Sequence, residues 1–526
     1  LFRIAGHFFE AGERDKAFEL YLASARYMAR IFANGRALEA YRHALETCAS
    51  ADAERAIHEE AGDLSTRIGD YPTALEHLQM AQPPAGASPA LLDKIGRVLH
   101  RQGEFGPALV AFSRCLEGSD IAPATRAQAL FRIGGIHLDR GDAAAARGYL
   151  EESLEISKDL QDLKQVAEVL FSLGVVEKSQ DRLDMAVARF EEALRNAEKS
   201  GSLLEVATTL NNLGNIYRAI GDDHKAVECF RRSIETRDRI GDRQGLAICL
   251  NNLARVYAYR GEIALSRSST ESALKIFEEI GDKKGVLIAM CNLGEALHQL
   301  GELQRARDLH RASLEMAERL KAQRLFESVL CNLGALELDA GEYAAAAEHL
   351  RRCLKTLPED KPLELRAQAL GLLASVCMLV HDLEGAEDAL REAMDIAKEL
   401  TVKEKLGVLV SQEVRFHLER GEPERAVETG RQIMAREDGM DQMGRALLHH
   451  ERGRAYRELG PDWADRTEKE LNTALHAFES MGSPHNAAAA RADLAVYWRL
   501  LGEDGEADAL FRRAEEDLRR VGAQKR

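Results

Sequence analysis

One pattern of small, apolar and acidic residues recurs every 40 positions along the middle of the chain. A small residue marks each unit, at Gly134, Gly174, Gly214, Ala254, Gly294 and Gly334. Seven positions later a turn residue recurs, at Gly141, Asp181, Gly221, Gly261, Gly301, Gly341, His381 and Gly421, usually before Asp or Glu. Glycine takes the left-handed conformation that ends a helix, and a carboxylate favours the start of the next one. The pattern therefore predicts stacked helix pairs joined by tight turns.

The unit from Leu203 to Ile240 shows how each pair is specified. Leu210 and Tyr217 lie at helical intervals and form an apolar face on the first helix. Ala226 and Phe230 provide the corresponding face of the second helix. A small residue recurs at the position of Ala226 because the paired helices approach too closely there for a larger side chain. We expect two helices of about 18 residues, each about 27 Å long at 1.5 Å per residue.

These residues resemble those of the tetratricopeptide repeat. The resemblance is carried by Leu213, Gly214, Tyr217, Gly221, Ala226, Phe230 and Ser233. The 40-residue spacing is similar to the longer-helix subclass of Pins-type adaptors and bacterial regulators. HEAT and armadillo repeats have similar lengths, but the glycine turn and the small, aromatic, small series argue against them. The resemblance implies an all-α solenoid, a right-handed superhelix of antiparallel helix pairs.

Prolines and the regularity of the repeat divide the chain. Residues 83, 84 and 89 are prolines that cannot continue a helix, so residues 81–90 are predicted to be a joint. We expect irregular repeat-like helical pairs over 1–80 and a regular array with 40-residue spacing over 91–433. Irregular units and a capping helix are expected over 434–526. The length allows about 12 or 13 helical pairs.

Composition narrows the classes of function. A net charge of −16 argues against nucleic acid and anionic membranes as partners. The eight cysteines form no CxxC pair, which argues against a metal site and favours reduced thiols in the cytoplasm. No apolar run is long enough to span a membrane. No nucleotide-binding, metalloprotease or nucleophile-elbow motif is present, so we expect no enzyme activity and no cofactor.

The N-terminal segment from Phe2 to Leu45 resembles the stretch that follows the ATPase module in large bacterial signalling proteins. Those proteins join such a module and a long repeat tail to a kinase, a cyclase or a LuxR-type output domain. Since the first residue is Leu1, we expect the chain to be the interaction or sensor region of such a protein. The alternative for this segment is an ordinary first pair of repeat helices.

A row of asparagines is the strongest functional signal. Asn212, Asn252, Asn292 and Asn332 occupy the same position in four consecutive first helices, and we call them the asparagine ladder. Asparagine both donates and accepts, so a row of them in the concave groove of a repeat protein can bind the backbone of an extended peptide. Further groove residues are predicted at Asn215, Arg218, Arg255, Tyr259, Glu295 and His298. Alternatively, the asparagines bond to neighbouring helices within the solenoid.

The sequence thus predicts a module that binds a protein or peptide segment. Two alternatives remain, a stand-alone scaffold that joins partners and a sensor of a small ligand or signalling peptide. The sequence leaves the partner and the oligomeric state open.

Overall fold

The computed structural model describes residues 1–84, 86–117, 121–358, 364–399, 406–434 and 442–520. Within these residues the regular structure is helical, with 27 α-helices and one short 3-10 helix at Pro461–Trp463. The chain divides into two compact units, unit 1 over Leu1–Thr209 and unit 2 over Leu210–Arg526. The boundary between the two units falls within α12 (Leu203–Ala219).

Unit 1 contains α1 to α11 and the start of α12. Its helices are α1 (Phe2–Glu10), α2 (Arg14–Arg30), α3 (Asn34–Thr47), α4 (Ala51–Ile68), α5 (Tyr71–Met80), α6 (Pro89–Arg101), α7 (Phe105–Arg114), α8 (Pro123–Asp139), α9 (Ala143–Asp159), α10 (Leu163–Ser179) and α11 (Leu183–Ser200). The interruption between α5 and α6 coincides with the proline-rich stretch, of which Ala85 lies outside the described residues.

Unit 2 continues the same alternation of first and second helices. Its further helices are α13 (Asp223–Ile240), α14 (Arg243–Tyr259), α15 (Ile263–Ile280), α16 (Lys283–Gln299), α17 (Leu303–Arg319), α18 (Gln323–Asp339), α19 (Tyr343–Thr356), α20 (Glu364–Leu379), α21 (Leu383–Glu399), α22 (Leu406–Glu419), α23 (Pro423–Met434), α24 (Gln442–Glu458), α25 (Ala464–Ser480), α26 (Pro484–Leu500) and α27 (Asp504–Arg520). Thirteen pairs follow α1 within the described residues, in line with the 12 or 13 expected.

The turn between α12 and α13 has the predicted chemistry. Gly221 has a φ of 83° in the left-handed region, and the Asp222 carboxylate accepts a hydrogen bond of 3.1 Å from the backbone N–H of Lys225. This bond satisfies one of the unpaired donors at the start of α13. In two units the turn glycine is replaced, and Asp181 (φ 57°) and His381 (φ 61°) take the left-handed conformation themselves. The position, more than the residue type, thus defines the turn.

The small residue in each first helix is required by close packing. A Cβ added to Gly214 would lie 2.8 Å from Cε1 of Phe230, and one on Gly174 would lie 2.8 Å from Cε1 of Phe190. Ala226, at the other small position, is fully buried. Real Cβ atoms do not approach neighbours this closely, so the recurring glycine leaves the space into which the aromatic ring of the second helix fits.

None of the described helices is both long and apolar enough to cross a membrane.

Candidate functional site

The asparagine ladder lies along one side of α12, α14, α16 and α18, which we call the ladder face. All four asparagines are partly buried, while Arg255 and Glu295 on the same helices are exposed. Asn215, Arg218, Tyr259 and His298 are also partly buried. All ten predicted groove residues lie on these first helices of unit 2, and none lies on a second helix.

Hydrogen bonds connect the asparagines of neighbouring repeats. Nδ2 of Asn252 donates to Oδ1 of Asn211 at 3.0 Å, and Nδ2 of Asn292 donates to Oδ1 of Asn251 at 2.9 Å. The acceptors are the residues that directly precede the ladder positions. Asn252 and Asn292 thus each use one N–H to bond to a neighbouring helix, as in the second of the two roles that the sequence allowed for the asparagines.

The supporting asparagines are themselves held by their surroundings. Oδ1 of Asn211 also accepts from the thiol of Cys249 at 3.3 Å, and Asn215 donates to the backbone carbonyl of Asn211 at 3.0 Å. Asn251 is buried, with 7% of its surface exposed. In α16 the corresponding residue is Cys291, so no carboxamide precedes Asn292 to accept from Asn332 in the next repeat. The bonded part of the ladder thus extends from α12 to α16.

His298 connects the ladder face to a carboxylate. Its Nε2 donates to Oδ2 of Asp339 at 3.0 Å, across α16 and α18. Asp339 is also 3.7 Å, through Oδ1, from Nε2 of His485 at the start of α26. This second contact was not predicted from the sequence, because His485 lies 146 residues after Asp339.

After Leu372 in α20, the ladder position is polar again in the C-terminal repeats. Counting in the same register gives Gln412 in α22, Glu451 in α24 and Asp493 in α26. Asp493 accepts from Nε2 of His450 at 2.8 Å and from Nη1 of Arg457 at 2.6 Å. Gly453 and Ala495 continue the series of small residues in the sequence. Glu451 and Asp493 lie two positions before them, so the sequence alone contains the signal that locates these two carboxylates.

This C-terminal network is strongly coupled. Burial alone would raise the pKa of Asp493, but the hydrogen bond from His450 and the nearby guanidinium groups hold it well below its usual range. Arg454 donates to Glu451 at 2.8 Å, and the charge of Glu451 raises the pKa of Arg454 despite its burial. The Asp493 carboxylate and the Arg454 guanidinium therefore remain ionised at neutral pH.

Buried cysteines act as core side chains in this structure. Cys115, Cys291 and Cys353 are buried thiols, and burial raises the pKa of Cys291 and of Cys353 to about 12. A thiol with such a pKa is not a thiolate at neutral pH and acts as a small core side chain. Within the described ranges no group of three or more His, Cys, Asp and Glu could hold a metal ion.

One cavity of about 300 Å³ lies in unit 1 between α6, α7 and α8. Its polar lining includes Asp93, Cys115 and Gln128. Burial raises the pKa of Asp93, and it raises the pKa of Cys115 to about 11. Both raised values favour the neutral forms, so this cavity provides no activated nucleophile.

The structure is an all-α solenoid of helix pairs with a row of hydrogen-bonded amides on one side. A family model of the tetratricopeptide repeat matches residues 125–199, 205–279, 264–319 and 285–359. Residues 125–199 and 205–359 of this chain are therefore tetratricopeptide repeats, a fold that serves as a protein–protein interaction module. No curated protein matches the sequence.

Solved structures are similar to this chain at low sequence identity. One is a signal transduction ATPase with numerous domains (STAND) that has a tetratricopeptide repeat sensor, from Pyrococcus horikoshii, with a TM-score of 0.51 and 16% identity. The match covers 64% of this chain and 52% of that one, so the chain spans about half the length of the ATPase. Another is a Rap protein in complex with competence and sporulation factor, with a TM-score of 0.46 and 15% identity over 76% of this chain and 99% of that one.

Proposed function

We propose that the ladder face binds an extended segment of a partner protein through the backbone of that segment. The observation that carries the proposal is the pair of bonds from Asn252 to Asn211 and from Asn292 to Asn251. A primary amide has two N–H donors and a carbonyl acceptor, and each bond uses one donor. The bonds fix the orientation of the amides, so a partner segment would bind them without the entropic cost of ordering them.

The spacing of the repeats fits an extended chain. Neighbouring packed helices lie about 8–10 Å apart, and an extended polypeptide advances about 3.3 Å per residue. Successive ladder amides would then meet about every third residue of the segment. Because such bonds involve only the backbone, the ladder sets the conformation of the segment and leaves its sequence to other contacts.

Charged residues next to the ladder provide those other contacts. Arg255 and Glu295 occupy equivalent positions in α14 and α16, carry opposite charges and are exposed. Neighbouring repeats are spaced by about three residues of an extended segment. The preferred segment therefore carries a basic side chain near Glu295 and, about three residues away, an acidic side chain near Arg255. The free thiols favour a partner in the cytoplasm. The net charge of −16 favours a protein partner over nucleic acid or a membrane, and the proposed binding needs no catalysis and no cofactor.

The test is selection from a displayed library of random 15-residue peptides. Peptides that bind the purified chain are counter-selected against the Asn212→Ala, Asn252→Ala, Asn292→Ala, Asn332→Ala variant. We expect the selected peptides to lose at least tenfold in affinity for the variant, since each lost hydrogen bond costs about 1 kcal/mol. Gln304→Ala is the matched control, because this carboxamide lies exposed on α17, a second helix. Peptides that bind the variant and the parent equally would place recognition elsewhere.

A second proposal is that the chain is the sensor region of a larger signalling protein. Its support is the pattern of Phe2 to Leu45, where α1, α2 and α3 pack around Ala5, Tyr21 and Tyr41. The test is the gene sequence upstream of the codon for Leu1. A phosphate-binding GxxxxGK[ST] motif in the same reading frame supports this proposal, and a start codon directly before Leu1 contradicts it.

A further inference from the structure

The turn between α25 and α26 lies against a turn much earlier in unit 2. A Cβ built on Gly261 would clash with Cγ of Met481 and would lie 2.9 Å from Oε1 of Gln442. The adjacent Gly482 approaches the repeat that follows Gly261, because a Cβ on Gly482 would be 3.8 Å from Cδ2 of Leu300. Gly261 and Met481 are 220 positions apart, so this contact joins repeats that are not neighbours along the array.

A carboxylate adds a polar contact at the same edge. Asp339 at the end of α18 lies between two imidazoles, His298 at 3.0 Å and His485 at 3.7 Å. His298 belongs to the predicted groove and His485 belongs to α26. We call the whole contact the latch, made by Gly261, Leu300 and Asp339 on one side and by Gln442, Met481, Gly482 and His485 on the other.

Burial distinguishes the turn at Gly261 from equivalent turns in other repeats. Gly261 is buried, whereas Gly221 and Gly421 at the same position of other repeats are exposed. Ile263, two residues after Gly261, is 2% exposed, and Met481 is 3% exposed. The latch therefore covers an edge of α14 and α15 that faces solvent in other repeats.

We propose that the latch opens and closes, and that a partner segment reaches the ladder face through the open form. The named contacts are made by turns and helix ends, not by the long helix faces that hold each pair together. The latch therefore opens without unfolding a helix. Because His298 is both a ladder-face residue and a neighbour of Asp339, the closed latch borders the ladder face directly. The gating part of this inference rests on the proposed function, whereas the opening of the latch does not.

A reversible crosslink tests the opening. The variant carries Gly261→Cys and Met481→Cys. The sulfur of the new cysteine at position 481 takes the place of Cγ of Met481, which is the atom nearest to a Cβ built on residue 261. The two positions are thus within reach of a disulfide after a small shift. Seven native cysteines are buried, and Cys48→Ser removes the partly buried one. Each single-cysteine variant, treated in the same way, is the control, and mass spectrometry verifies the crosslink.

Hydrogen–deuterium exchange is measured on amides away from the crosslink. The turn amides of residues 301–303 and 340–342 belong to the latch region but are not adjacent to the new disulfide. We expect them to exchange at least tenfold faster in the reduced variant than in the oxidised one, because only the reduced latch opens. Equal exchange in both forms would show that the latch does not open, and would overturn the inference.

A second variant protects this test from a folding defect. Gly261→Ala places a methyl group against Met481, and Gly221→Ala is its control, because both glycines have positive φ (74° and 83°) but Gly221 has no neighbour within 4 Å and lies outside the latch. We expect faster exchange at residues 301–303 in Gly261→Ala than in Gly221→Ala. The same rate in both would contradict the latch, since the backbone strain is shared.

Binding of a selected peptide tests the gating. We expect the association rate constant to fall at least tenfold in the oxidised double-cysteine variant and to recover on reduction. Equal association rates in both forms would overturn the gating. If no peptide is selected from the library at all, the proposed function fails, while the exchange comparison still decides whether the latch opens.

Discussion

The imidazole of His310 packs directly against Gly294, where several other repeats place a phenylalanine or leucine side chain. A Cβ on Gly294 would be 2.5 Å from Cε1 of His310, a close approach like the one that Phe230 makes to Gly214. His310 is fully buried, and neither ring nitrogen has a hydrogen-bond partner among the described residues. Burial lowers the pKa of His310 to about 4, assisted by the nearby His298. The repeat thus contains a neutral, unsatisfied imidazole at a position where the pattern favours an apolar side chain.

The first prediction is that His310→Phe stabilises unit 2. Phenylalanine occupies the equivalent position in α11 and α13, as Phe190 and Phe230, and it has no polar atoms to leave unsatisfied. We expect a gain of about 1–2 kcal/mol in the free energy of unfolding at pH 7, from the desolvation cost of an unpaired buried group. Urea unfolding followed by circular dichroism measures it. A loss of stability would mean that the larger ring does not fit against Gly294.

The second prediction concerns pH. The pKa of His310 is about 4 in the folded chain and about 6.5 when unfolded, so between these values only the unfolded chain binds the proton. The stability of the parent should fall as the pH falls through this window, by about 1.5 kcal/mol between about pH 6.5 and pH 5. His310→Phe should lack this component. His224→Phe, at an exposed residue near the start of α13, is the control for the substitution and should retain the loss of stability that His310 causes.

The third prediction separates support of the ladder from direct contact with a ligand. Asn251 is buried and accepts from Asn292, so Asn251→Ala removes the bond that orients the Asn292 amide. We expect Asn251→Ala to weaken binding of a selected peptide about threefold to tenfold, although residue 251 itself is covered. Isothermal titration calorimetry on Asn251→Ala, Asn292→Ala and Gln304→Ala makes the comparison. If Asn292→Ala loses affinity and Asn251→Ala does not, orientation by the preceding repeat is unnecessary.

The fourth prediction concerns the C-terminal network. Asp493→Ala would leave His450 and Arg457 without their shared carboxylate in a poorly hydrated site. We expect a loss of about 3 kcal/mol in the free energy of unfolding, the usual cost of removing one partner from a buried ion pair. Asp388→Ala is the control, because its pair with Arg391 is exposed and should contribute less than about 0.5 kcal/mol. Similar losses in both variants would show that the network is no more than a surface feature.

The sequence was sufficient for the parts of the fold that depend on local pattern. The turn at Gly221 and the small residue at Ala226 follow from residue types that repeat every 40 positions, and in the structure Gly221 has a left-handed φ and Ala226 is fully buried. Even the exceptions, such as the left-handed Asp181, lie where the spacing placed them. The location of the ladder on the first helices follows from the same register, while its role in binding stays a prediction.

The sequence was insufficient where contacts depend on the accumulated geometry of many repeats. Gly261 meets Met481 because small rotations between successive pairs add up over the intervening repeats, and no local pattern encodes that sum. The pairing of Asp493 with His450 and Arg457 was missed for a different reason. The register relates Asp493 to Asn332, but it does not specify which basic side chains reach the Asp493 carboxylate.

The bonds of the ladder also restrict how this array can evolve. Asn252 bonds to Asn211 across 41 positions, one more than the repeat length, so each bond joins two non-equivalent places in adjacent repeats. A duplicated 40-residue cassette that carries both asparagines would add one bond and keep every existing one. A cassette like that of α16, in which Cys291 stands in place of the accepting asparagine, would end the series instead. Recombination of whole repeats can thus lengthen or shorten the amide row one step at a time, without any change in the helices around it.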